Sequence, residues 1–233
     1  MGEGALEYRY DDSYAETVSL AGGKRVSLRL MQPTDREALR TAFARLSPES
    51  RYARFMAPKA RLTEAELNYL SRPDGFDHFA LVAIRKHLVS TPEGVGVARF
   101  VRLTDAPDTA EPAVTVIDDY QGAGLGSILL QRLIEAAWER DVRWFRSELL
   151  AENKASRKMI ESLSPEVRFV AQGDGSLVAT IPVPEPDQTP TAPGFFIGTP
   201  VQKLLAYAAQ AAIRVRPRVT QPPPPPPPPR QDT

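Results

Sequence analysis

Three glycines at alternate positions, Gly122, Gly124 and Gly126, separate a predicted strand from a predicted helix. Valines alternate with other residues over 114–117, which is typical of a strand, and apolar residues recur at helical spacing over 125–137. Because glycine has no Cβ, its backbone takes unusual φ/ψ values and a ligand can approach it closely. The N–H groups of a first helical turn lack intrahelical partners, and the helix dipole attracts negative charge to them. The segment therefore predicts an anion cradle suited to phosphate oxygens.

The spacing of these glycines distinguishes between phosphate-binding motifs. A dinucleotide fingerprint counted from Gly122 would place its third glycine on Ser127, and a P-loop requires Gly-Lys-Ser/Thr at its end, so neither motif matches. The sequence Gln-Gly-Ala-Gly-Leu-Gly at 121–126, directly after a strand, resembles the GNAT superfamily of N-acetyltransferases. In that family the amides of this loop hold the pyrophosphate of coenzyme A. A tight strand-to-helix turn without a ligand is the alternative interpretation.

Composition excludes several other function classes. The chain has 233 residues, of which 42% are hydrophobic and 25% charged, as expected for a soluble globular protein of one domain with tails. Lys plus Arg equals Asp plus Glu at 29 each, so the net charge does not indicate binding to nucleic acid or to a membrane. Without cysteine there is no thiolate nucleophile and no cysteine metal site. The two histidines, His78 and His87, match no metal motif and are interpreted as strand-end or surface residues, so we expect no metal.

The hydropathy of the chain predicts a cytoplasmic location. The first residues lack an apolar segment behind a basic one, which a secretory signal would require. No apolar run approaches the length that spans a bilayer.

The order of predicted elements extends the resemblance beyond the loop. Two helices are predicted to start with capping boxes, Thr34 with Glu37 and Thr63 with Glu66. The predicted strands are 25–30, 79–84, 94–103, 112–117, 145–150, 167–170 and 177–181. This order is similar to the GNAT fold over 24–181. The resemblance implies an α+β protein, an α/β/α sandwich whose mixed central sheet is splayed between strands 4 and 5.

Four separated blocks narrow the resemblance to the branch that contains bacterial protein-lysine acetyltransferases. The blocks are 25–29, 46–52, 114–122 and 151–154. This likeness implies acetyl-CoA as the acyl donor and a primary amine, most of all a protein lysine, as the acceptor. A small-molecule amine acetyltransferase and a catalytically silent module that binds acyl-CoA or acts as a scaffold remain alternatives.

The same resemblance implies the site residues. It places a glutamate base at the start of the strand before the glycine loop, where Glu111 stands, although an exposed loop carboxylate is the alternative. In this chemistry a neutral amine attacks the thioester, a strand N–H polarises the carbonyl, and the base accepts the proton. The cofactor-binding residues that it implies lie in the strand, the loop and two helices: Val114, Val116, Gln121, Gly122, Ala123, Gly124, Leu125, Gly126, Ser127, Asn153 and Ser156.

Two features depart from a simple cradle. Asp118 and Asp119 would repel pyrophosphate if they faced it, so we expect them to cap the turn or to face solvent. Many GNAT enzymes place a tyrosine on the last helix as the acid for the leaving thiolate, whereas 159–164 contains none. The thiolate is then expected to leave unaided or to be protonated by water.

The ends of the chain differ in composition from its centre. Residues 1–23 predict an extended lead-in, and 182–200 a proline-rich linker. Apolar residues at helical spacing predict an amphipathic helix over 201–216, and eight consecutive prolines predict a disordered polyproline tail in 217–233. The helix and the tail are candidates for binding another protein, and packing of the helix on its own domain is the alternative.

Overall fold

An eight-stranded mixed sheet forms the centre of the molecule. The computed structural model describes residues 8–48, 50–51, 59–86, 92–151, 166–173 and 175–186. The strands are β1 (Ala15–Ser19), β2 (Arg25–Leu30), β3 (His78–Arg85), β4 (Glu93–Leu103), β5 (Ala106–Val116), β6 (Trp144–Leu150), β7 (Arg168–Ala171) and β8 (Ser176–Pro182). They lie in the order β1-β2-β3-β4-β5-β6-β8-β7. All neighbours in the sheet are antiparallel except β5 and β6, which run parallel.

Helices cover both faces of this sheet. They are α1 (Arg36–Ala44), α2 (Glu64–Ser71) and α3 (Leu125–Glu139). On the α1 side, Val82 and Ile84 of β3 pack with Leu39. On the opposite side, a Cβ on Gly96 of β4 would lie 2.9 Å from Leu129 Cδ1 of α3. Since successive strand residues point to opposite faces, the two faces can be assigned along each strand from these contacts. The predicted α/β/α sandwich is confirmed.

The start of α2 confirms one capping prediction. The Thr63 hydroxyl accepts a hydrogen bond from the Glu66 backbone N–H at 3.2 Å, and the Glu66 carboxylate accepts from the Thr63 N–H at 2.8 Å. Two of the backbone donors at the helix start are therefore satisfied by side chains.

The start of α1 differs from the prediction. A 3-10 turn, Pro33–Asp35, precedes the helix, and Asp35 accepts the Gln32 N–H at 2.8 Å. The Thr34 cap is therefore wrong. Asp35 takes this position because Arg29 holds its carboxylate with two hydrogen bonds of 2.7 Å.

The N-terminal segment contains a strand that the sequence pattern did not predict. Within the expected lead-in, β1 pairs with β2, and a 3-10 turn, Ala21–Gly23, joins the two strands. Only Val18 of β1 is buried, so the strand shows little hydrophobic alternation. The segment is also tied to α3, because Arg132 donates two hydrogen bonds of 2.8 Å to Glu16. The N-terminal segment therefore packs beside α3, a contact that the sequence pattern did not predict.

Several predictions fall outside the described residues. These are the helix expected after Asn153, with Ser156 on it, and the segments from the linker at 187–200 onward to the tail. Among the residues that the structure describes, no helix is long and apolar enough to cross a membrane. The same residues contain no cluster of His, Cys, Asp and Glu able to hold a metal ion.

Candidate functional site

Strands β5 and β6 separate after two residue pairs. Thr109 lies opposite Trp144, and Ala110 lies opposite Phe145. Beyond Ala110, the described part of β5 pairs only with β4, while β6 pairs only with β8. A wedge-shaped gap therefore opens within the sheet. The predicted splay is confirmed. It was expected between strands 4 and 5, and these are β5 and β6 here because the unpredicted strand β1 comes first.

The gap explains a proline inside a strand. The prediction started this strand near Pro112, but β5 begins at Ala106. Pro112 therefore lies inside the strand, opposite Phe100 of β4. Proline lacks an N–H and is tolerated in a sheet only where no ladder hydrogen bond is required of it. At Pro112 the side of β5 that faces the gap has no paired strand among the described residues. A proline whose nitrogen faces the gap therefore removes no hydrogen bond from the sheet.

Glu111 lies at the vertex of the gap. It is the first residue of β5 beyond the last pair with β6. The prediction placed it at the start of the strand, but it lies inside the strand. Its side chain shares a face with Ala113 and Thr115, and Thr115 borders the space under α1. The residue is partly exposed. The carboxylate thus faces the α1 and α2 side of the sheet at the point where the strands part.

The glycine loop lies at the open end of the gap. Gly122 and Gly124 have φ values of 71° and 89°, and a Cβ on either would meet nothing within 4 Å. Glycine is thus favoured by the backbone conformation rather than by packing. Gly124 caps α3 without a side-chain hydrogen bond, and the first turn carries no acidic residue. The first-turn N–H groups and the positive end of the helix dipole are therefore suited to hold an anion.

Asp118 binds the loop to the segment after α1. Its carboxylate accepts hydrogen bonds from the Ser47 N–H at 2.9 Å, the Ser50 hydroxyl at 2.8 Å and the Gln121 side-chain amide at 2.9 Å. Partial burial acts to raise the pKa of Asp118, but the hydrogen bonds from Ser50 and Ser47 lower it overall. Gln121 also donates to the Val116 carbonyl at 3.1 Å. Both side chains therefore fix the shape of the loop.

The β1–β2 turn supports the other side of the loop. Ala21 donates its N–H to the Ala123 carbonyl at 3.2 Å, and Lys24 Nζ donates to the Asp119 carbonyl at 2.9 Å. The Asp119 carboxylate is paired with Arg45, so its charge is partly offset. Both acidic residues before the loop therefore have partners that offset their repulsion of an anion. No pattern along the chain predicted this support, because the turn depends on the unpredicted strand β1.

The predicted cofactor-binding residues fall into three groups. Val114 and Val116 lie on the part of β5 that borders the gap, and residues 121–127 form the loop and the first turn of α3. Asn153 and Ser156 lie outside the described residues. The structure thus brings the first two groups together along one line, from the vertex of the gap to its open end.

A polar cluster adjoins Glu111 on the same face of the sheet. Arg99, which is 3% exposed, donates to His78 Nε2 at 2.9 Å and to the Leu70 carbonyl at 3.1 Å. Because guanidinium can only donate, Nε2 accepts, and the proton of neutral His78 resides on Nδ1. Burial, and secondly the charge of Arg99, lower the pKa of His78 to about 4. His78 is thus a strand-end residue, as predicted, but it is buried and neutral at physiological pH.

An apolar cavity that is partly open to solvent lies between α1, α2 and this face of the sheet. Its lining includes Leu39, Val82 and Val97, while Arg99 and Thr115 are among its few polar residues. A cavity with these walls suits an aliphatic chain, because apolar surface leaves water when the chain enters.

Ser147 is a further polar residue near the vertex. It lies two positions after Phe145 on β6 and therefore on the α3 side, opposite to Glu111. Ser147 is 2% exposed, and its hydroxyl has no hydrogen-bond partner in the part of the chain that the structure describes. A lone serine in a strand gives no signal in a sequence, so it was not predicted.

Comparisons with known proteins agree with this geometry. A family model described as an acetyltransferase (GNAT) domain matches residues 25–164. Acetyltransferase Pat from Mycolicibacterium smegmatis is 34% identical over 176 residues, which are 76% of this chain and 51% of that protein. An acetyltransferase from Pseudomonas aeruginosa is 34% identical over 156 residues, or 67% of this chain and 81% of that protein.

Solved structures share the fold. The crystal structure of the GNAT domain of S. lividans PAT has a TM-score of 0.60 at 27% identity and covers 74% of this chain and 99% of that domain. A Salmonella typhimurium protein solved with its cofactor acetyl-CoA has a TM-score of 0.50 at 21% identity, covering 70% and 99%.

The fold and the sequence matches together identify the class of protein. The chain belongs to the GNAT acetyltransferase family, whose acyl donor is acetyl-CoA. It spans about half the length of the Pat protein that it matches.

We predict that His78 makes the protein less stable in acid. Its pKa is about 4 in the folded state against an ordinary value of 6.5. As the pH falls through this window, the unfolded chain gains a proton that the folded chain does not, so the free energy of unfolding decreases. His78→Gln keeps an acceptor for Arg99 but does not titrate. Between pH 7 and pH 5, the free energy of unfolding measured with urea should fall less in the variant than in the wild type, by on the order of 2 kcal/mol. Equal losses would contradict the assigned pKa.

We predict that Gly124→Val abolishes most of the affinity for coenzyme A. A β-branched residue is strained at a φ of 89°, and its methyl groups would enter the open space of the cradle. Gly175, in the turn before β8, has a φ of 82° and open space as well, so Gly175→Val is a control with similar strain. Calorimetry should show weak binding only for Gly124→Val, with both variants folded by circular dichroism. Equal affinities in the two variants would remove the loop from the binding site.

Proposed function

We propose that this chain transfers the acetyl group of acetyl-CoA to a primary amine, the ε-amine of a lysine side chain on a protein. The observation that carries the proposal is the gap between β5 and β6, with a carboxylate at its vertex and an anion cradle at its open end. A donor with a phosphate end, a linear arm and a reactive thioester matches these features, with the phosphate end at the cradle and the thioester near the vertex.

The residues of the gap fit this donor. The N–H groups of 122–127 and the α3 dipole would hold the pyrophosphate. Along 111–116 the gap side of β5 offers backbone N–H and C=O groups with no strand paired to them among the described residues, and the amides of the pantetheine arm suit such an edge. Asn153 and Ser156, by resemblance, would complete the groove. Bound acetyl-CoA supplies an acetyl thioester, whose carbonyl carbon is the electrophile.

Two groups of the chain would then act on the reaction. A backbone N–H on the open edge of β5 would donate to the thioester oxygen and stabilise the charge that develops there. Glu111 would accept the proton of the acceptor ammonium, directly or through one water, because it lies at the vertex and faces the α1 and α2 side. Direct attack needs no covalent intermediate on the protein, which agrees with the absence of cysteine.

The lysine acceptor is supported by the apolar cavity on the face of Glu111. A lysine carries its amine on a four-carbon stem, and the mostly apolar wall of this cavity, which includes Leu70 of α2, suits such a stem. The four sequence blocks similar to protein-lysine acetyltransferases point to the same acceptor.

Mass spectrometry of a proteome incubated with the purified chain and acetyl-CoA tests the acceptor class. We expect new acetyl-lysine on a limited set of proteins. Transfer to small amines alone would identify a small-molecule acetyltransferase, and no thiol release with any amine would identify a silent module.

We predict that Glu111→Gln lowers kcat/KM for a lysine peptide by roughly 10²- to 10⁴-fold at pH 7. The loss should shrink at pH 9 and above, because more of the amine is then already deprotonated. Affinity for coenzyme A should stay unchanged. Glu37→Gln, on the exposed side of α1, is the matched control and should have no effect. Thiol release measured across pH decides the role, and a loss below about threefold at every pH would exclude Glu111 as the base.

A further inference from the structure

One row of side chains crosses the sheet beside the gap. His78 of β3 lies opposite Val101 of β4, and Val101 lies opposite Glu111 of β5, so all three point to the α1 and α2 side. Neighbouring strands are about 4.8 Å apart, which separates the His78 and Glu111 backbones by about 10 Å. Arg99 lies in the next row of β4 and stays buried. The space above this row is therefore bounded by His78 at one end and Glu111 at the other.

Tyr69 of α2 lies over the His78 end of this row. The two rings are stacked, with centroids 4.7 Å apart and an interplanar angle of 25°. His78 is 7% exposed, whereas Tyr69 is 38% exposed and is one of the few large apolar residues on the described surface. Because His78 covers one face of the ring and the helix fixes its position, the exposed part of the ring offers a preformed contact surface.

The charges around this ring favour a cation. Burial raises the pKa of the Tyr69 phenol and lowers that of His78 to about 4, so both rings are neutral at physiological pH. Arg99 opposes the rise at Tyr69, while the carboxylates of Glu111 and Asp74 add to it, so both act on this ring. Asp74 is held close, since it accepts the His78 N–H at 2.9 Å. Two carboxylates and one guanidinium therefore act on a neutral ring, and the negative sum of these charges favours an alkylammonium group whose aliphatic stem contacts the ring face.

We propose that Tyr69 is an acceptor-binding residue whose exposed ring contacts the stem and ammonium of the incoming lysine, and that His78 positions this ring by stacking beneath it. The inference rests on the proposed function and names the group that selects a cationic alkyl amine. Tyr69 binds the charged side chain of the acceptor lysine. Glu111, at the other end of the row, then receives the proton of the lysine ammonium before the amine attacks the thioester.

Steady-state kinetics with a lysine peptide test the contact. Tyr69→Leu should raise KM by roughly 3- to 30-fold, the range expected for a lost cation–π contact, and leave kcat within about twofold. Tyr69→Phe keeps the ring and should behave like the wild type. Asn68→Ala changes the exposed neighbour on α2 and serves as the matched control. Coenzyme A affinity should be equal in all variants.

Peptide binding in the presence of coenzyme A gives a readout without turnover. Calorimetry should show that the wild type prefers a lysine peptide over its norleucine analogue, which has no amine, and that Tyr69→Leu loses this preference. If the wild type transfers acetyl groups but Tyr69→Leu matches it in KM and in peptide preference, the inference is overturned and the proposed function stands. If the wild type transfers nothing to lysine, the proposed function fails. The peptide preference then still decides on Tyr69, and a wild type that does not distinguish the two peptides overturns the inference.

Discussion

Backbone hydrogen bonding between β5 and β6 stops after Ala110, and the site depends on where it stops. Both strands remain stable beyond that point because β4 and β8 pair with their outer sides. The inner sides of the strands expose polar backbone groups that need partners. Glu111 and Pro112 follow the last pair directly, so a carboxylate and a residue without an N–H lie at the vertex. An interruption of the ladder thus creates both a space within the sheet and backbone polar groups that line it.

Two acidic residues precede the loop at the open end, which we propose holds an anion. The structure resolves this conflict with local partners. Asp118 accepts three hydrogen bonds from the loop and from the segment after α1, and Asp119 pairs with Arg45. The same contacts link two sequence blocks, 46–52 and 114–122, that are far apart in the chain. Their joint occurrence in the sequence therefore has a physical reason.

Much of the fold follows from periodicity, and the exceptions have identifiable causes. Strong alternation or helical spacing predicted the strands β2 to β4 and the helix α3, and turn chemistry with three glycines predicted the loop. Strand β1 was missed because only Val18 in it is buried. The first half of β5, Ala-Pro-Asp-Thr-Ala, lacks a continuous β-branched pattern, so its start was placed too late.

Only those parts of the candidate site that are continuous along the chain could be predicted from the sequence. The glycine loop was predicted from a continuous motif, and Glu111 was predicted from the family resemblance. The stacking of Tyr69 on His78, and the contact of Arg99 with His78, join three separate elements, and no spacing along the chain encodes them. The histidine was read as an ordinary strand-end residue for this reason. Register across β3, β4 and β5 is what brings these groups to one face.

The sheet also consists of two antiparallel blocks that are joined by a short parallel ladder. Strands β1 to β5 form one block, β6 to β8 the other, and only two residue pairs connect the ladders. Helix α3 packs on β3, β4 and β5 and belongs to the larger block, while Phe145, Ala179 and Ile181 anchor the smaller one in the shared core. The shortest ladder of the sheet therefore joins the two blocks, and we expect cooperative units to separate at such a junction. A molecule that fills the gap touches both blocks, so it acts as a missing strand and makes the two units unfold as one.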